Sequence, residues 1–226
     1  MPKSKRNKVV HLTSTKSKGY DGKVGLVEKV RASVDAFKTI YVFGVANFRT
    51  VHMKEVRQEL GRDTRLFFGK NKVLRVALGR TAEEACIEGI EKVSKALSGN
   101  VGLLFTNASC QKVEAFFRDF ERDDFARSGF KATEKVTMKK GRVEWAAHSM
   151  LEQLRKLRLP VIINKGIIEL ERDYTVCKEG EQLSPEAAQV IKLCGIQMAK
   201  FKVTLMYRFR DGEFTPLVSS SPDMEE

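Results

Sequence analysis

The run Gly69-Lys70-Asn71-Lys72-Val73-Leu74-Arg75-Val76-Ala77-Leu78-Gly79 holds the residues best suited to chemistry with an anion. A β-rich segment, Arg65 to Phe68, leads into a glycine, and the glycine opens a short basic helix. Backbone N–H groups at a helix start and nearby cations converge on one spot, which suits a phosphate. The run lacks the spacing of a nucleotide-binding P-loop, so the phosphate it suits is part of a nucleic-acid backbone. Lys72 and Arg75 are three apart and share a helix side, as do Lys54 and Arg57 on the preceding helix. Two basic helix faces flanking one strand suit the phosphate runs of a folded RNA, whose deep major groove hides its bases.

Other reactive residue types are scattered. His11, His52 and His148 stand far apart, none with a partner at metal-ligand spacing, so no metal site is expected. No Ser/His/Asp or Cys/His frame for nucleophilic catalysis is present. Glu121, Asp123 and Asp124 form an acidic cluster at a predicted helix end. A magnesium-dependent nuclease would need further carboxylates, so the cluster reads as a solvated helix terminus. Cys86, Cys110, Cys177 and Cys194 include no C-x-x-C pair, which predicts buried, reduced thiols. No cofactor is expected. Phe43, Phe67 and Phe68 fall on predicted strands and are read as core rather than as a base-stacking platform.

The elements that must position the basic run follow from hydrophobic periodicity. Val24, Val27, Val30, Val34 and Phe37 recur at spacings of three and four, which predicts an amphipathic helix. Thr39 to Val45 reads as a buried strand, Asn47 ends a turn, and Thr50 caps a helix over 51–60. Thr81, with Glu83 and Glu84 after it, predicts a helix running to Leu97 and stopping at Ser98-Gly99-Asn100. Val101 to Phe105 is a third strand, and Ser109 caps a helix from Cys110 to Phe120. Such alternation predicts an α/β layer fold with a mixed α+β sheet.

Near Ser128 the pattern changes. A strand within Phe130 to Met138, a helix from Leu151 to Leu157, and strands at Val161–Ile163 and Ile167–Leu170 are expected. Ser184-Pro185-Glu186 starts a further helix, with Ser as cap and Pro at its first position. These elements delimit a smaller inserted α/β domain over 127–195. Ala199 to Phe209 alternates polar and apolar residues and predicts a long strand that returns to the first sheet. The first domain is therefore assigned to 23–126 and 196–210. Residues 1–22 form a basic flexible arm and 211–226 a short acidic tail.

Charge supports the phosphate reading. The 226-residue chain carries a net charge of +12. Residues 1–23 hold seven cationic side chains against Asp21 alone, and residues 49–80 hold nine against three carboxylates. Those two segments account for the whole excess and are read as parts of one polyanion-binding surface. The RNA-contacting set is thus Lys3, Lys5, Arg6 and Lys8 in the arm, Asn47, Arg49, Lys54 and Arg57, and Gly69, Lys70, Asn71, Lys72 and Arg75. No run of eighteen apolar residues is present, so neither a membrane span nor a membrane partner is expected, and the basic N-terminus lacks the apolar segment of a secretory signal.

Gly69-Lys70-Asn71-Lys72-Val73-Leu74-Arg75-Val76-Ala77-Leu78 resembles the glycine–lysine–asparagine–threonine–leucine–x–arginine–x–alanine–leucine motif of the ribosomal stalk-base family, the P-zero or L-ten proteins. Lys72 departs from the usual threonine. Lys54 to Leu60, Gly166 to Leu170 and Ser184 to Ala188 are also similar to that family, so the resemblance spans roughly 20–210. Met1 to Thr13 and Leu66 to Lys70 resemble its branch of eukaryotic ribosome assembly factors.

The resemblance implies an L-ten-like RNA-binding domain, large-subunit rRNA of the stalk base as ligand, and the pre-large-subunit particle as host. It further implies an L-eleven-class ribosomal protein as neighbour, a phosphatase-like release factor, and residence in the nucleus and nucleolus, with late particles reaching the cytoplasm. It implies no enzymatic activity. Residues 211–226 are too few for the two helices with which P-zero proteins bind acidic stalk dimers, so no stalk dimers are expected here. Two rival readings are a mature stalk-base protein and an RNA-processing enzyme.

Overall fold

The computed structural model describes residues 19–61, 63–81 and 83–217. The arm cations Lys3, Lys5, Arg6 and Lys8 lie outside the described residues, as does 218–226. Contacts group the chain into two units. One holds Leu60–Ser109 with the chain up to Gly44 and from Leu205 onward; the other holds Val45–Glu59 and Cys110–Thr204.

In the first unit, helix α1 (Gly19–Ala36) buries Val30, Ser33 and Val34, the i, i+3, i+4 face of the predicted stripe. Strand β1 (Thr39–Ala46) is buried over its first five residues. Helix α2 (Thr50–Leu60) lies mostly in the second unit. Strand β2 (Thr64–Phe67), helix α3 (Asn71–Leu78), helix α4 (Ile90–Ala96) and strand β3 (Val101–Thr106) complete the first unit's central section. β3 is buried at all six positions because β1 and β2 both pair with it, antiparallel, leaving no open edge. Phe43 stands opposite Gly102, and a Cβ at Gly102 would lie 2.6 Å from the Phe43 Cζ. The glycine lets that ring lie flat across the sheet, where it meets Phe68 edge-on with centroids 5.1 Å apart.

The second unit contains helix α5 (Cys110–Asp119) and strand β4 (Glu121–Asp124). Strands β5 (Val136–Met138) and β6 (Gly141–Arg142) follow, then helix α6 (Leu151–Lys156). Strands β7 (Val161–Asn164), β8 (Ile167–Leu170) and β9 (Tyr174–Cys177) lead to helix α7 (Pro185–Leu193). β5 pairs with β9, and β6, β8 and β7 form a three-stranded sheet. α7 joins two apolar clusters. Its Ile191 packs with Val136, Cys177 and Leu183, and its Val190 with Leu154, Leu159, Ile168 and Leu170. The Ser184 Oγ accepts from the Ala187 N–H at 3.1 Å, the predicted cap.

Strand β10 (Ala199–Arg210) and strand β11 (Glu213–Pro216) end the described chain. The largest sheet runs β11-β10-β1-β3-β2, with β4 against β10. Its registers β1–β3, β2–β3, β10–β11 and β4–β10 are antiparallel.

Several expectations need correction. The helix from Thr81 does not form; α4 starts only at Ile90. Gly89 sits at φ +85°, a left-handed conformation that no helix interior accepts, and a Cβ there would lie 3.0 Å from the Gly212 carbonyl oxygen. Glu121–Asp124 is a strand rather than a solvated helix end, held by its register with Ala199–Lys202. Strand structure within Phe130 to Met138 is confined to Val136–Met138 and one bridge at Lys131. Residues 213–216, expected in a tail, form β11 behind a tight Asp211-Gly212 turn with φ of +51° and +82°. Tyr207 and Phe214 stack across that hairpin at 5.1 Å. No disulfide joins the four cysteines, and Cys177 alone among them is buried, while Cys86 is exposed. Burial pushes the Cys194 thiol up from its ordinary pKa.

Candidate nucleic-acid interface

The basic run sits in the first unit as expected. Lys70 is the N-cap of α3, extended at φ −64° and ψ 129°, and no side chain caps that helix start. Leu74, Ala77 and Leu78 anchor the helix in the core. Lys70 and Lys72 are exposed. Gly69 serves packing: a Cβ would lie 2.7 Å from the Leu26 Cδ2 of α1. Arg31 of α1 donates from Nε to the Ala77 carbonyl oxygen at 3.3 Å, placing a cation at the negative end of α3.

Two polar residues of the run are tied to neighbouring backbone. Asn71 donates from Nδ2 to the Gly99 carbonyl oxygen at 2.8 Å. Arg75 donates from Nη2 to the carbonyl oxygen of Leu97, the residue closing α4, and its Nε is buried without a hydrogen-bond partner. Ser94 Oγ lies 3.5 Å from the Arg75 carbonyl oxygen. These contacts stitch α3 to the end of α4. Arg80, just beyond α3, and Lys95 of α4 join Lys72, Arg75 and Ser94 around one hollow of about 560 Å³. Arg80 falls in the basic segment 49–80, but nothing in the sequence pattern associates Lys95 with it. Only the packing of α4 on α3 brings Lys95 to the run, and no local signal could have revealed it.

The second unit holds the other predicted residues. Asn47, at φ +51°, donates from Nδ2 to the Lys200 carbonyl oxygen at 2.8 Å. Arg49 points its Nε at the Asp124 Oδ2, 2.6 Å away, and its Nη2 donates to the Phe125 carbonyl oxygen at 3.1 Å. Asp124 is a mostly buried carboxylate, so this guanidinium compensates a charge that would otherwise be costly to bury. His52 lies beside the same carboxylate, its Nε2 3.7 Å from Oδ2. The acidic side of α2 is neutralised by Arg122, 3.3 Å from Glu55 and 3.7 Å from Glu59. Lys54 and Arg57 stay exposed, and neither makes an ion pair among the described residues. On β4, the Lys200 ammonium hydrogen-bonds Glu121 at 2.7 Å and holds its carboxyl below the usual range, with Lys202 adding to the effect.

Among the described residues no group of three or more His, Cys, Asp or Glu is arranged to hold a metal ion. None of their helices is long and apolar enough to cross a membrane. What the surface offers is exposed cations on short, well-anchored helices. Such groups neutralise phosphates without reading bases.

Comparison with known proteins gives the lineage. The chain is 36% identical to ribosome assembly factor mrt4 of Schizosaccharomyces pombe, covering 100% of this chain and 99% of that one. With ribosome assembly factor mrt4 of Dictyostelium discoideum it shares 38% identity over 95% and 96% of the two chains. The chain belongs to the Mrt4 family. Within this Mrt4-family chain, residues 18–122 match the family described as Ribosomal protein L10. Residues 126–196 match the family described as the insertion domain of the corresponding 60S ribosomal protein. The large ribosomal subunit protein uL10 of Thermococcus onnurineus is 24% identical over 88% of this chain and 59% of its own length. Mrt4-family and ribosomal L10 sequences are therefore paralogous, as the motif at Gly69 implied.

Proposed function

We propose that this chain is a large-subunit ribosome assembly factor that binds stalk-base rRNA on pre-large-subunit particles and holds the site later taken by the P-zero stalk protein. The observation that carries the reading is similarity over the whole chain to proteins named as ribosome assembly factors. The exposed cations support it: Lys70 and Lys72 at the start of α3, and Lys54 and Arg57 on α2, serve as phosphate contacts. Asn47, Arg49, Asn71 and Arg75, expected among the RNA contacts, are bonded to protein groups and act by holding the backbone near the exposed cations. Lys3, Lys5, Arg6 and Lys8 extend the contact along the RNA backbone. The RNA-binding domain comprises 23–126 and 196–210, with 127–195 inserted. The role is non-catalytic and nucleolar. An L-eleven-class protein is the expected neighbour, and a phosphatase-like factor the expected agent of release.

Sedimentation separates this reading from a mature stalk-base protein. Tagged full-length chain is expected in nuclear pre-large-subunit fractions and not in polysomes. Persistence in polysomes at ribosomal stoichiometry would overturn the assembly role and favour the mature component.

A further inference from the structure

The hollow between α3 and α4 combines side chains from three places: Lys72 and Arg75 of α3, Arg80 beyond its end, and Ser94 and Lys95 of α4. Among these described residues four of the five are cationic and none is acidic. Cations held around one hollow repel each other, and nothing in the core requires Lys72, Arg80 or Lys95, which are all exposed. Among the described residues none of the three makes an ion pair. Glu91, on the preceding turn of α4, does not line the hollow. The Glu84 carboxylate accepts from the Arg80 backbone N–H at 3.5 Å but makes no ion pair with these cations, so the lining keeps an excess of positive charge that a bound anion would offset.

The shape narrows the class of anion. Among the described residues no aromatic or apolar side chain lines the hollow, so they offer a nucleobase nothing to stack on and a free nucleotide is a poor fit. A volume of about 560 Å³ far exceeds one phosphate, while cations on several sides suit a turn of polyanionic backbone. The arrangement is fixed, because Arg75 bonds the Leu97 carbonyl oxygen and Ser94 lies against the Arg75 backbone. We propose that this hollow is a distinct RNA-backbone subsite, in which Lys72, Arg80 and Lys95 close around phosphates of a bent strand. The subsite rests on the RNA-binding reading above and adds Arg80 and Lys95 to it.

The test uses full-length protein and a labelled stalk-base rRNA fragment, titrated at several salt concentrations. Arg80→Gln with Lys95→Gln is expected to weaken binding about tenfold and to flatten the dependence of log affinity on log salt by about 1 to 2. Both side chains are exposed, so the melting curve should not move. Unchanged affinity and slope in this variant, with normal binding by the parent chain, would overturn the subsite and leave the RNA reading intact. A parent chain that binds no better than to an unrelated RNA of equal length would overturn the RNA reading and the subsite with it.

Discussion

Lys70→Glu with Lys72→Glu is expected to reduce affinity for stalk-base rRNA about thirtyfold at 0.1 M salt. A unit charge near a phosphate in water is worth about 1 kcal/mol at 4 Å, and reversing it doubles the swing. Two residues then give about 4 kcal/mol before screening and about half that after it, since exposed charges are damped at this ionic strength. About 1.4 kcal/mol is a factor of ten, so a loss of about thirtyfold follows. The salt slope should flatten by about 2, one for each phosphate no longer neutralised. Both side chains are exposed and neither contributes to the Leu74, Ala77 and Leu78 anchor, so the fold should persist. Arg75 is a poor choice for the same experiment. Its bond to Leu97 joins two helices, and removing it would register as instability as much as weakened binding. Fluorescence anisotropy over a salt series reads both quantities; unaltered affinity would show that α3 does not touch the RNA.

Gly79→Ala is expected to cost about 3 to 5 kcal/mol, because backbone strain and a steric clash add at one position. Gly79 closes α3 at φ +102°, a conformation costing a non-glycine residue about 1 to 3 kcal/mol. An added Cβ would also lie 2.6 Å from the Ala85 Cα and 2.7 Å from both the Ala85 nitrogen and the Glu84 carbonyl oxygen. Those are backbone atoms, so no rotamer change relieves them, and displacement adds about 1 to 3 kcal/mol. For a chain of this length each kcal/mol lowers the melting temperature by about 2 to 4 °C, so a drop of about 10 °C is expected. Gly61→Ala is the matched control, with φ +68° and nothing within 4 Å of the new Cβ. It should show the backbone strain alone, about 1 to 2 kcal/mol. Equal melting shifts for the two variants would contradict the packing of the Glu84 and Ala85 backbone against Gly79.

The parts of this fold readable from the chain are those set by local pattern. β1 and β3 are continuous apolar runs, and they are the buried strands of the sheet. Ser184-Pro185 marks a helix start that the Ser184 cap realises. The Thr81 helix misleads because Thr81, Glu83 and Glu84 imitate a helix start, while the left-handed Gly89 delays helix formation to Ile90. The hairpin at Asp211-Gly212 carries a recognised turn signal, which the polar composition beyond it obscured. β4 had no readable signal. Glu121-Arg122-Asp123-Asp124 offers no apolar alternation, and its strand exists through pairing with β10 and the Arg49 bond to Asp124.

The interface divides in the same way. The exposure of Lys70, Lys72, Lys54 and Arg57 was readable because charge at helical spacing on an amphipathic helix faces outward. The ties of Asn47 to Lys200, Arg49 to Asp124, Asn71 to Gly99 and Arg75 to Leu97 were not, since each partner is remote in sequence. Composition counts such residues as available cations or donors, whereas tertiary contacts have already engaged them.

Cross-linking of the full-length chain to RNA in cells, with the cross-linked nucleotides sequenced, addresses rRNA binding without a chosen RNA fragment. Sites are expected to concentrate on the stalk-base segment of large-subunit precursor rRNA and to disappear when Lys70 and Lys72 are reversed. Cross-links spread over messenger RNAs, or centred on another rRNA region and indifferent to those two lysines, would refute stalk-base binding through α3.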